Sequence, residues 1–170
     1  ALVDSRLDHI LVRHEQGAVL AADGYARTSG RVGVCMATSG PVATNLITGV
    51  ADANMDRAPL LALTGQGAST RLHKESHQVL DLTRMFDSVT KYSASLLEPG
   101  IVPEVVRKAF KVAQTEKTGA TFIEFPENIA AEPVEAQPLQ VSCSADPEAT
   151  NETIEQAAQA ISQARHPLIL

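Results

Sequence analysis

Short apolar runs that end in turn residues alternate along this chain with stretches of helical period, and that alternation restricts the fold more than any other feature. Val32-Gly33-Val34-Cys35-Met36-Ala37 is a buried-strand run closed by the turn Thr38-Ser39-Gly40-Pro41, in which Ser39 can cap and Pro41 can enter a helix. Val42, Ala43, Leu46, Ile47, Val50 and Ala51 then recur at helical spacing up to Asn54. Pro59 to Leu63 is the next strand, ending in Thr64-Gly65-Gln66-Gly67. Val89 to Ser93 reads as a more polar strand, Glu104 to Gln114 as a helix, and Thr121 to Phe125 as a strand closed by Pro126-Glu127-Asn128. The expected fold is α/β: a doubly wound, mostly parallel sheet with helices on both faces.

Upstream, residues 1–8 read as the end of a helix with Leu2, Val3 and Leu7 apolar, and residues 9–13 as a strand. From Gln16 to Thr28 the positions Ala18, Val19, Ala22, Tyr25 and Ala26 fall at helical spacing, with Gly30 as the stop. Arg13-His14-Glu15 therefore stands where a strand would hand over to a helix. An acid there can favour the positive end of the helix dipole. It can also reach into a crevice, because open parallel sheets bind ligands beyond the carboxyl ends of their strands. The turns at 13–15, 38–41, 64–66 and 126–128 would share that rim.

Residues 68–78 show no period and are long for a plain connection, which points to a functional loop. Pro133 and Pro138 break the texture, so residues 135–149 read as a linker after a domain of residues 1–134. Thr150 to Ala164 reads as a helix with Ile154, Ala157, Ala158 and Ile161 on one face, and residues 168–170 as a strand opening a second domain. The chain begins at Ala1 without Met and stops inside that strand, so it reads as cut at both ends.

With 44% hydrophobic residues in 170, the chain can bury one core and part of another. A formal charge of -6 gives no surface for nucleic acid, and no apolar stretch is long enough to cross a membrane. Cys35 and Cys143 have no metal-ligand spacing and read as reduced thiols of a cytoplasmic protein. The glycine fingerprint of dinucleotide folds, the phosphate loop, the nucleophile elbow and the H-E-x-x-H metal motif are absent, and no metal ligand is assigned.

Several stretches together resemble one family. Arg13-His14-Glu15-Gln16-Gly17-Ala18, Ala22 to Arg27, Thr38-Ser39-Gly40-Pro41 with Ala43 to Leu46, and Gly49 to Ala53 look like the pyrimidine-binding domain of thiamine diphosphate enzymes of the acetolactate synthase type. Thr64-Gly65-Gln66, His77-Gln78 and Thr90 to Ser93 fit the same family. The resemblance covers residues 1–134, and residues 150–170 resemble the start of the family's central domain. His77-Gln78 is closer to the catabolic, flavin-free branch and Gln16-Gly17 to the biosynthetic, FAD-containing one, so FAD is left open.

The resemblance implies that Glu15 is the catalytic residue. It would hydrogen-bond the pyrimidine N1′ of the cofactor and share a proton with it, in a dry cleft where a carboxyl resists ionisation. It also places Thr38, Pro41, Asn45 and Gln78 against the cofactor, and Gln78, His77 and Lys91 near the substrate. Val42 stands where the family usually has glycine. The implied activity is decarboxylation of pyruvate and condensation with a second 2-oxo acid, in branched-chain amino acid biosynthesis. Sibling readings are a 2-oxo acid decarboxylase, a pyruvate oxidase, a sulfoacetaldehyde acetyltransferase, or a non-catalytic module of the same fold. The implied assembly is a homodimer or homotetramer with sites shared between subunits. Mg2+ would be held by a domain outside this chain, which alone is expected to be inactive and to bind the cofactor poorly.

Overall fold

The computed structural model describes residues 5–142 and 147–168. Four strands, β1 (Gly33–Ala37), β2 (Leu60–Gln66), β3 (Tyr92–Ser95) and β4 (Ala120–Pro126), form one sheet in the order β1-β2-β4-β3. All three pairings are parallel. The seven α-helices among the described residues are α1 (Glu15–Ser29), α2 (Pro41–Thr44), α3 (Ile47–Met55), α4 (Leu82–Asp87), α5 (Val102–Gln114), α6 (Glu127–Ala130) and α7 (Asn151–Gln163).

The sheet is covered on both faces, as the alternation requires. On one face Val19 and Ala22 of α1, Val50 and Ala53 of α3 and Phe86 of α4 pack on Cys35, Leu60, Ala62 and Phe122. On the other, Ala109 of α5 and Ile129 of α6 pack on Leu61 and Ile123. Both central strands bury residues on both sides, which explains the apolar runs Leu60 to Leu63 and Phe122-Ile123 within them. Small residues bring α1 close. A Cβ at Gly33 would lie 2.0 Å from the Ala22 carbonyl oxygen, and one at Gly49 would lie 2.4 Å from Val19 Cγ1. Arg27, in the last turn of α1, binds Asp23 on its own helix and Asp52 and Asp56 at the end of α3. The family-like stretches Ala22 to Arg27 and Gly49 to Ala53 thus meet in helix packing through Arg27.

Other readings need correction. No strand forms at residues 9–13; Ile10 and Leu11 are 89% and 93% exposed, because no described strand lies beside them. Among residues 5–8 there is no helix, and residues 1–4 lie outside the described residues. Ser39 does not cap: Gly40 is the N-cap of α2, at φ 65°, with no side-chain cap bond, while Pro41 does enter the first turn. The helix read over 42–54 is divided at Asn45-Leu46, where the Leu46 N–H bonds the Ala43 carbonyl in a tightened turn.

The strand expected at 89–93 starts at Tyr92. Thr64-Gly65-Gln66 is not a turn but the end of β2, because β4 supplies partners as far as Pro126. Helix α4, which lacks a sequence period, is started by Asp81 accepting from the Arg84 N–H and held by Phe86, stacked on Phe122 with ring centroids 3.9 Å apart. Helix α7 forms where expected, and Ile154 and Ile161 on it are exposed. The strand expected at 168–170 and Cys143 fall largely or wholly outside the described residues. Cys35 is buried and free, and burial pushes its thiol up to about 12.

Candidate active site at the carboxyl rim of the sheet

Helix α1 leads into β1, so its first residue stands at the end of the sheet where the strands finish. Helix α2 leaves β1 at the same end. The start of α1 meets the end of α2: Asn45, the C-cap of α2, donates from Nδ2 to Glu15 Oε2 at 2.9 Å. His14 is the N-cap of α1, its Nδ1 accepting from the Gln16 N–H at 3.2 Å. Glu15 thus reaches the rim without the strand expected before it; the helix start alone places it there.

The carboxyl of Glu15 is half-buried. The Asn45 amide, the backbone N–H of Glu15 itself and nearby His14 hold it below the usual carboxylate range, against an opposing effect of desolvation. The donors outweigh desolvation and favour the charged, accepting form of the carboxyl. A carboxyl lowered on folding contributes stability above its unfolded pKa and loses it as pH falls through the folded value. In Asn45→Ala the Glu15 pKa is expected to rise toward the ordinary glutamate value, read by carboxyl 13C NMR titration. An unmoved titration would show that Asn45 is not the cause.

The neighbouring turns do share the rim. A Cβ at Gly65 would touch Ser39 N at 3.6 Å and Thr38 Cα at 3.7 Å, so the end of β2 lies along the 38–41 turn. Ser69 N donates to Asn128 Oδ1 at 2.8 Å, Asn128 Nδ2 donates to Ser69 Oγ at 3.0 Å, and Arg71 pairs with Glu127. The connection after β2 and helix α6 are tied together by these contacts. Thr38 and Pro41 are exposed on their turn, and Val42 is half-buried in α2. Gln78 lies against that turn, with its Cβ 2.7 Å from where a Cβ of Gly40 would be, and His77 is exposed beside it.

Lys91 is not brought to the rim. It precedes β3, its N–H donates to the Ala120 carbonyl at the start of β4, and its Nζ donates to the Val112 and Thr115 carbonyls at 2.7 and 2.6 Å. It ties the end of α5 to the opposite edge of the sheet. Burial lowers its pKa from the ordinary lysine value, against an opposing pull from Glu116. Sequence reasoning missed the buried pair Gln66 and Glu124, joined at 3.0 Å on the α4 side of the sheet. Polar residues at alternate positions Thr64 and Gln66, at the end of an apolar strand, were the available signal.

A doubly wound sheet with a helix-start carboxylate and small-residue turns on its carboxyl rim defines a class of cofactor-binding domain. Residues 1–85 match the model of the thiamine pyrophosphate enzyme N-terminal TPP binding domain, and the chain belongs to that family. It is 38% identical over 177 residues to a probable acetolactate synthase large subunit of Methanocaldococcus jannaschii, covering 100% of this chain and 30% of that protein. It is 40% identical over 169 residues to an acetolactate synthase of Arthrospira platensis, covering 96% of this chain and 29% of the relative. With the acetolactate synthase isozyme 2 large subunit of Escherichia coli the identity is 37% over 169 residues, 99% of this chain and 31% of the relative. The chain therefore spans about 30% of the length of these relatives. No helix among the described residues is long and apolar enough to cross a membrane.

Proposed function

We infer that this chain forms the pyrimidine-facing part of a thiamine diphosphate-dependent carboligase of the acetolactate synthase type, acting on pyruvate and a second 2-oxo acid. The observation that carries this reading is the bond between Glu15 and Asn45, which joins two family-like stretches 30 residues apart at one rim. The residues present fit the cofactor. Glu15 Oε2 accepts from Asn45, and its carboxylate at the helix start is the group that would meet a ring nitrogen. An ionised carboxylate at a helix start is suited to accept and return a proton there.

Thiamine diphosphate, when bound, supplies the electron sink through which a 2-oxo acid loses CO2. The chain's own residues bind and orient. Asn45 fixes the Glu15 carboxylate, Thr38 and Pro41 wall the turn beside it, and Gln78, with His77 next to it, faces the substrate. Lys91 has no part in this reading, because it is held at the other edge of the sheet. A second domain from a neighbouring subunit would cover the rim, exclude water and raise the proton affinity of Glu15 toward the value a proton-sharing acid needs. That domain would also carry the Mg2+ ligands. A homodimer or homotetramer of a cytoplasmic enzyme of branched-chain amino acid biosynthesis follows from the same reading, and FAD is an attribute of its biosynthetic branch.

Product analysis of the full-length protein with pyruvate and thiamine diphosphate tests the assignment. Acetolactate is the expected product. Acetaldehyde or acetyl phosphate in its place would assign the chain to a decarboxylase or an oxidase sibling.

A further inference from the structure

Three consecutive residues of the loop after β2 are each held by a different contact. Gln78 lies on Gly40, and Val79 lies on Gly67, where an added Cβ would stand 2.7 Å from Val79 Cγ2. The Leu80 carbonyl accepts from Gln66 Nε2 at 2.7 Å. The same amide nitrogen donates to Glu124 Oε2 at 3.0 Å, and Gln66 Oε1 accepts from the Gly67 N–H at 2.9 Å. Both donor hydrogens of Gln66 and its acceptor oxygen are therefore in use.

Gln66 and Glu124 are each 4% exposed and the bond between them is buried, so a lost partner there leaves a group unsatisfied, while the bond to the Leu80 carbonyl is part-buried. Thr64 and Ser95 flank Glu124 in register on β2 and β3, yet both hydroxyls are buried without a partner. Among the described residues Gln66 is the side chain that engages the Glu124 carboxylate. At the other end of the connection Gln78 has a φ of 58°, a left-handed conformation that a non-glycine residue keeps only when its surroundings hold it.

The geometry points to Gln66, held by Glu124, as the positioning residue that pins residues 78–80 to the rim and so sets where Gln78 faces the substrate. This rests on the reading of Gln78 given above, and the test separates the two. Hydrogen exchange by mass spectrometry on the full-length protein reads the pinning directly. In Gln66→Leu, exchange in the peptide spanning residues 76–81 is expected to rise about tenfold, with that of β4 within about twofold. Glu124→Leu should do the same. Glu124→Gln keeps an oxygen for the Gln66 amide and should exchange like the wild type. Unchanged exchange at 76–81 in Gln66→Leu, or a Glu124→Gln protein as loose as Glu124→Leu, would overturn the pinning.

Kinetics then test the consequence. Gln66→Leu is expected to raise KM for the 2-oxo acid about tenfold with kcat within about threefold, and to add nothing in a Gln78→Ala background. Effects that multiply in the double variant would overturn action through Gln78. A Gln78→Ala protein with unchanged KM would instead overturn the substrate-facing role of Gln78, with the pinning still decided by exchange.

Discussion

Glu15→Gln in the full-length enzyme is expected to lower kcat by about 10²–10⁴-fold, the range that a positioned acid–base group contributes. Glutamine keeps the shape of the side chain and an oxygen that can still accept from Asn45, so the start of α1 and its contact with α2 should persist. What is lost is the exchangeable proton. Steady-state kinetics with pyruvate, beside a thermal melt to show that the fold is intact, checks this. An unchanged kcat would show that no proton passes through Glu15, and would leave it the other role its position allows, an acid at the positive end of a helix dipole. Affinity for thiamine diphosphate belongs in the same experiment, because a weakened ring contact changes binding as well as turnover.

Phe122→Ala is expected to destabilise the fold by about 3–5 kcal/mol, the usual cost of removing a fully buried aromatic ring. Phe122 is 0% exposed on the central strand β4 and stacks on Phe86, also 0% exposed, at an interplanar angle of 2°. Helix α4 has six residues and little propensity of its own, so its docking on the sheet rests on buried side chains, this stack and Leu82 among them. With a urea m-value of about 2 kcal/mol/M, the unfolding midpoint should fall by roughly 2 M. Phe122→Leu, which retains most of the volume, should cost less than half as much. A midpoint shift below about 0.5 M for the alanine variant would show that the ring stack does not hold α4.

Most of the fold was legible in the chain. The central strands β2 and β4 are buried on both faces and so carry the short apolar runs Leu60 to Leu63 and Phe122-Ile123. Helices α1 and α5 pack one face on the sheet and so appear at helical period. Readings failed where a partner residue, and not local pattern, decides the outcome. Residues 9–13 carry a strand's apolar run, but a strand needs a neighbour to take its backbone hydrogen bonds. Gly65 looked like a breaker and is strand, because Phe125 pairs with it in β4. Helix α4 is too short to show a period and depends on one phenylalanine meeting another 36 positions away.

The candidate site divides in the same way. The carboxylate at the start of α1 and the turn after β1 were recognisable as local patterns, and the parallel topology alone put them on one rim. By itself the sequence determined the strand and helix alternation and the two-sided core, because those follow from periodicity. Only the tertiary structure decided that Asn45 bonds Glu15, that Lys91 serves the opposite edge, and that Gln66 and Glu124 bond at the end of the sheet. Those contacts join residues far apart in the chain, and a directional hydrogen bond depends on ångström-scale placement that no local pattern encodes.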